Sequence, residues 1–251
     1  MTVKKLLIAA TILSSANAYA MPTQCQVDIE NEVHLDGEQV EIYQENGAKV
    51  LIDENNQLFI NGKQVQLDEL QQQAIEAYRY SMNTYVPKAK ELAQDGMELA
   101  NSVIDDVADS FNDSQSFENV KVALGEFFTD IESRYYQNDE LVLKKDAFGS
   151  FFDNWQDDLA KAQQVFNSEF FSSAFNAMSE KMNEEGSFNF SELADNMAKL
   201  KESVTEKAAE QSKQIQQDAK DYCDSLDKVA EQEQQLHQAI PQLKDYQVFT
   251  I

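Results

Sequence analysis

From Cys25 to Leu67 hydrophobic and polar positions alternate, the period of a half-buried strand. Val40 and Ile42 alternate with Glu41 and Tyr43; after Asn46-Gly47, Ala48, Val50 and Ile52 alternate with Lys49 and Leu51. Asn-Gly between two such runs is the strongest short-range hairpin signal. The pair recurs at Asn61-Gly62, between Leu58, Ile60 and Val65, Leu67, and Asp53 to Asn56 supplies the turn between. The pattern predicts a four-stranded antiparallel meander over residues 21–67, with a fifth strand at Gln26 to Ile29 or at Val33 to Leu35. One face of such a sheet is apolar and needs a cover.

The period then changes to that of helices. Asp68, with Gln71 three residues on, forms a capping-box pattern that opens a helix running to about Tyr85, before Pro87. A second helix starts near Lys88 and carries Leu92, Val103, Ile104, Val107 and Phe111; a third follows Ser116 with Val120, Leu124, Phe127, Phe128 and Ile131. Glu140 to Lys144 alternates briefly as a returning strand. Asp146 then begins a long aromatic helix, and Asn189 or Ser191 opens a last helix, in register from Leu193 to Val229, with no breaker before Pro241. At 1.5 Å per residue that last helix would be roughly 70 Å long, against about 45 Å for a compact globule of this chain length. Either it kinks or the molecule is elongated. Tyr246 to Ile251 alternates again and suits an edge strand.

The expected fold class is therefore α+β, mostly α: an N-terminal antiparallel β-meander packed on an elongated bundle of long helices. Residues 68–240 form the helical body, residues 241–251 the tail, and residues 21–251 one structural domain.

Ten of the fifteen phenylalanines fall between Phe117 and Phe175. The doublets of the aromatic helix set two rings about 100° apart, which widens its apolar face beyond a coiled-coil seam. Phe148, Phe151, Phe152, Trp155, Phe166, Phe170, Phe171 and Phe175 are either core or an interaction face for envelope proteins or unfolded polypeptides.

The first residues change the setting. Lys4 and Lys5 precede an apolar run from Leu6 to Leu13, and Ala18-Tyr19-Ala20 closes the segment with small residues where signal peptidase cleaves. Residues 1–20 read as a cleaved signal peptide. The run is about half the length a membrane span needs, and Cys25 lies too far from the junction to be an acylated cysteine. The expected location is an oxidising compartment outside the cytoplasm. There an isolated pair, Cys25 and Cys223, reads as one disulfide; the alternative is two buried free thiols.

Charge narrows the partners. The formal net charge is −25, and loss of Lys4 and Lys5 takes it to −27. With Arg79 and Arg134 as the only arginines, the chain lacks the clustered basic residues that nucleic acid requires.

Motifs for catalysis are absent. The two histidines, His34 and His237, lack metal-ligand spacing and read as structural or surface residues. There is no H-E-x-x-H, no phosphate-binding glycine loop and no G-x-S-x-G. Ser225 to Lys228 matches S-x-x-K without companion motifs, and Asp53 to Gly62 misplaces the glycine and glutamate of a calcium loop. No catalytic, cofactor or metal residues are assigned.

Cys25 soon after the leader, the run ending in Phe59-Ile60-Asn61-Gly62-Lys63, and Cys223 late in a helical tail resemble the YggN-type exported proteins of gammaproteobacteria. The resemblance implies a periplasmic protein with paired cysteines, and it brings no established activity. The first functional reading is a non-enzymatic interaction or chaperone-like module of the envelope. The second is a binder of cations or small envelope ligands through acidic helix faces, and the third a hydrolase with a carboxylate-only site.

Overall fold

The computed structural model describes residues 25–111, 117–151, 153–154, 157–158, 160–161, 172 and 190–250. The fold is α+β and mostly helical, with an antiparallel sheet built chiefly from the N-terminal part and one long C-terminal helix. The signal segment lies outside the described residues, as do Phe152, Trp155, Phe166, Phe170, Phe171 and Phe175.

Six strands come first: β1 (Asp28–Ile29), β2 (Glu32–Leu35), β3 (Val40–Tyr43), β4 (Lys49–Ile52), β5 (Leu58–Ile60) and β6 (Lys63–Gln64). Three helices follow: α1 (Glu69–Tyr85), α2 (Lys88–Phe111) and α3 (Glu118–Ser133). A hairpin of β7 (Tyr136–Gln137) and β8 (Glu140–Leu143) precedes helix α4 (Phe190–Ala239). A 3-10 turn, Pro241–Tyr246, then leads into β9 (Phe249–Thr250).

Both candidate positions for a fifth strand are used, and differently. β2 joins the meander, whereas β1 pairs with β9 in a separate two-stranded sheet. The large sheet has the order β6-β5-β4-β3-β2-β8-β7, antiparallel throughout. It is wider than the meander the periodicity predicts, because β8 returns more than a hundred residues later and pairs Leu143 with Val33 and Leu141 with Leu35.

Turn chemistry explains the hairpins. Asn61 and Gly62 hold φ of 50° and 76°, the doubly left-handed turn that Asn-Gly accepts. The β7–β8 turn makes the same demand on Asn138 and Asp139, at 52° and 67°, without a glycine.

The described residues divide into two compact units. One comprises those within Gln24–Gln94, Phe127–Leu159 and Asp218–Ile251, and it holds both sheets. Its core begins on one face of the large sheet, where Val33, Leu35, Val40, Ile42, Val50, Ile52 and Leu58 are buried. Ile75, Tyr78 and Met82 of α1 join this core, spaced at one turn so that they share a helix face. Leu226, Val229, Ala230 and Leu236 of α4 do the same. Asp68 caps α1 by accepting from the Gln71 amide at 2.9 Å while the Gln71 side chain accepts from the Asp68 amide at 3.0 Å. The other unit comprises the described residues within Asp95–Glu126 and Ala160–Gln217; Ile104, Val107, Ala108, Phe117 and Val120 are buried there, and Lys121 pairs with Asp105.

Cys25 and Cys223 form a disulfide, with Cα atoms 5.0 Å apart, inside the sheet-bearing unit.

Candidate functional site

Alternation that buries Val33, Leu35, Val40 and Ile42 on one face sends Glu32, His34, Glu41 and Tyr43 to the other. Register then sets neighbours. His34 stands directly across from Glu41 and, on its other side, from Val142; Glu32 stands across from Tyr43, and Tyr43 from Lys49. Glu140 lies two residues before Val142 in β8 and so points to the same face.

The side chains interlock. His34 Nε2 lies 2.7 Å from Glu32 Oε1, and its Nδ1 lies 3.5 Å from Glu140 Oε1. The Tyr43 ring packs beside the imidazole, centroids 4.7 Å apart, and its hydroxyl donates to Glu41 Oε2. Lys49 Nζ sits 2.6 Å from Glu41 Oε1 and 5.0 Å from the centre of the Tyr43 ring. All six side chains are part-buried, from 20% exposed at His34 to 37% at Glu32. Burial pushes the Glu41 carboxyl up, but the Lys49 and Tyr43 hydrogen bonds outweigh it and hold the group below its ordinary value. Burial and the Glu41 carboxylate both push the Tyr43 hydroxyl up. Burial opposes the charge on Lys49, yet the hydrogen bond to Glu41 wins and raises it.

One ligand atom each from His34, Glu41 and Glu140 lies within 4.8 Å of the other two. That is a nitrogen and two carboxylate oxygens from three adjacent strands, a donor set suited to a divalent cation. The sequence reading gave His34 a structural or surface role, and Glu32, Glu41 and Glu140 no role. His34 and Glu41 could be paired from the β2–β3 register; Glu140 arrives through a pairing that no local pattern announces.

A second polar group is sealed in the core. Glu233 of α4 accepts from the Tyr78 hydroxyl at 2.8 Å, from the Val248 amide at 2.7 Å and from the Phe249 amide at 3.0 Å. Burial drives its carboxyl up to about 7 although all three donors pull it down, and burial beside this carboxylate raises Tyr78 well above its usual range. The group ties α1, α4 and the Val248–Phe249 backbone together. Buried Asp158 is held by Arg134 at 2.8 and 3.2 Å, again as structure.

The aromatic helix is described only in part. Phe148 packs against the core, its amide donating to Asp28 at 3.0 Å, and Phe151 is half-buried. His237 is half-buried on α4, where burial and nearby Lys244 lower its basicity.

Over residues 25–249 the chain matches the family described as protein of unknown function DUF2884, and it belongs to that family. No curated protein and no solved structure matches it. Among the described residues, no helix is long and apolar enough to cross a membrane.

Proposed function

We propose that this chain is an exported, non-enzymatic protein of the cell envelope that binds cations on the outer face of its sheet. The observation that carries this reading is the grouping of Glu32, Glu41 and Glu140 about His34, with Lys49 paired to only one of the three carboxylates. Surplus negative charge held on rigid, partly desolvated strands attracts cations more strongly than the same charge on a mobile surface. The site is on the sheet; the acidic helix faces are not needed for it. Export is supported by the leader and by the Cys25–Cys223 disulfide, a bond that persists in oxidising compartments. The resemblance to YggN-type exported proteins agrees with that setting. A client-holding apolar face draws no support from Phe148, which packs on the core.

The test is calorimetric titration of the mature, oxidised protein with zinc, calcium, magnesium and spermidine in turn. Saturable heat with at least one of them is expected. No saturable heat with any of the four overturns the reading.

A further inference from the structure

We infer that His34, Glu41 and Glu140 form a site for one divalent transition-metal ion of the zinc class, with Glu32 as the outer partner that orients His34. This inference rests on the cation-binding reading and narrows it to one set of atoms and one class of metal.

The imidazole carries the argument. Its Nε2 is within hydrogen-bonding distance of Glu32 Oε1, at 2.7 Å, a contact in which the ring nitrogen must donate because an ionised carboxylate only accepts. In the neutral ring that leaves Nδ1 as a lone pair, and what faces it at 3.5 Å is Glu140 Oε1, also a lone-pair atom. Two acceptors turned toward each other repel unless a second ring proton or a metal ion lies between them. A metal held by His Nδ1 and a carboxylate oxygen resolves the conflict. The opposite ring nitrogen then donates to a carboxylate, an arrangement that fixes the ring and makes the ligand more basic.

The spacing fits. Tetrahedral zinc with ligands at about 2.0–2.1 Å sets neighbouring ligand atoms roughly 3.3 Å apart, close to the 3.5 Å between His34 Nδ1 and Glu140 Oε1. Glu41, directly across from His34, supplies the third ligand within the 4.8 Å limit of the group, and rotation about its side chain brings it in. Water completes the shell. One imidazole nitrogen and two carboxylates favour a borderline metal such as zinc over calcium or magnesium, which prefer oxygen-only shells.

Lys49 gives the site a built-in competitor. Its ammonium already occupies Glu41 Oε1 at 2.6 Å and the Tyr43 hydroxyl donates to Oε2, so a metal must share or displace one of them. Removing that charge therefore strengthens metal binding, the opposite of what loss of a structural ion pair would do.

The experiment is titration of the metal-stripped, oxidised, mature protein with zinc chloride, calcium chloride, magnesium chloride and spermidine, each alone. It is repeated on His34→Gln, Glu140→Gln and Lys49→Met, each checked for wild-type circular dichroism. One zinc per chain is expected, weakened about 10-fold or more by His34→Gln and by Glu140→Gln and tightened by Lys49→Met. Saturable zinc binding unchanged in both His34→Gln and Glu140→Gln overturns the assigned site while leaving the cation reading intact. Calcium, magnesium or spermidine binding without zinc binding overturns the metal class and again leaves that reading. Loss of all saturable binding overturns both.

Discussion

The Tyr78 hydroxyl donates to Glu233 Oε1 at 2.8 Å, and both residues are 1% exposed. The backbone amides of Val248 and Phe249 complete the shell, so this carboxylate fastens the C-terminal segment to the core.

Its pH dependence has a definite sign. Burial places the folded value near 7, above the ordinary 4.5, so the folded protein binds the proton more tightly than the unfolded chain. Stability from this group is fully present below about 4.5 and is lost as pH rises through about 7, a change on the order of 3 kcal/mol. Urea unfolding of wild type against Glu233→Gln between pH 4.5 and 8 isolates the effect. The variant is expected to be less stable at low pH, because its amide faces a backbone donor, and to lack the wild-type decline.

Tyr78→Phe removes one of the donors and leaves Glu233 less satisfied. The expected cost is about 1–3 kcal/mol, with the wild-type decline moved to higher pH. The same unfolding series reads both.

The disulfide closes a separation of 198 residues. Chain-entropy arguments put its contribution at roughly 5 kcal/mol, and measured bonds often give 2–4. Denaturant midpoints of the oxidised protein and of a Cys25→Ser, Cys223→Ser double variant should differ accordingly, and a non-reducing gel should show the oxidised form running faster.

Much of this was legible in the chain. Alternation and two Asn-Gly turns located β3 to β5 and the turn into β6, which lies at Lys63–Gln64 and not at Val65 and Leu67, and Asp68 with Gln71 located the start of α1. The β8 strand was legible as a short alternating run, but its pairing with β2 was not: Val33 and Leu143 lie far apart in sequence. Leu141, Val142 and Leu143 are all buried, which breaks the alternation that would have marked its faces. The candidate site depends on that pairing, so only its His34 and Glu41 half could be read. Glu233 was hidden for a different reason: it sits on the apolar stripe of α4 between Ala230 and Leu236, where one acid among many reads as solvated.

The β7–β8 turn predicts a stabilising change. Asn138 and Asp139 both hold positive φ, which suits Asn-Gly better than Asn-Asp. Asp139→Gly is expected to raise stability by about 0.5–1 kcal/mol. The converse change, Gly62→Ala, meets nothing within 4 Å, so its cost, about 1 kcal/mol, is that of the backbone alone. Thermal unfolding of both variants checks the pair.

The claim that the outer face of the sheet is a metal site is tested most directly by anomalous diffraction from crystals grown with zinc, measured on either side of its absorption edge. The account predicts one strong peak within coordination distance of His34 Nδ1, Glu140 and Glu41, with Glu32 on the far ring nitrogen. Zinc bound elsewhere, or His34 bridging Glu32 and Glu140 with no metal at saturating zinc, would contradict it.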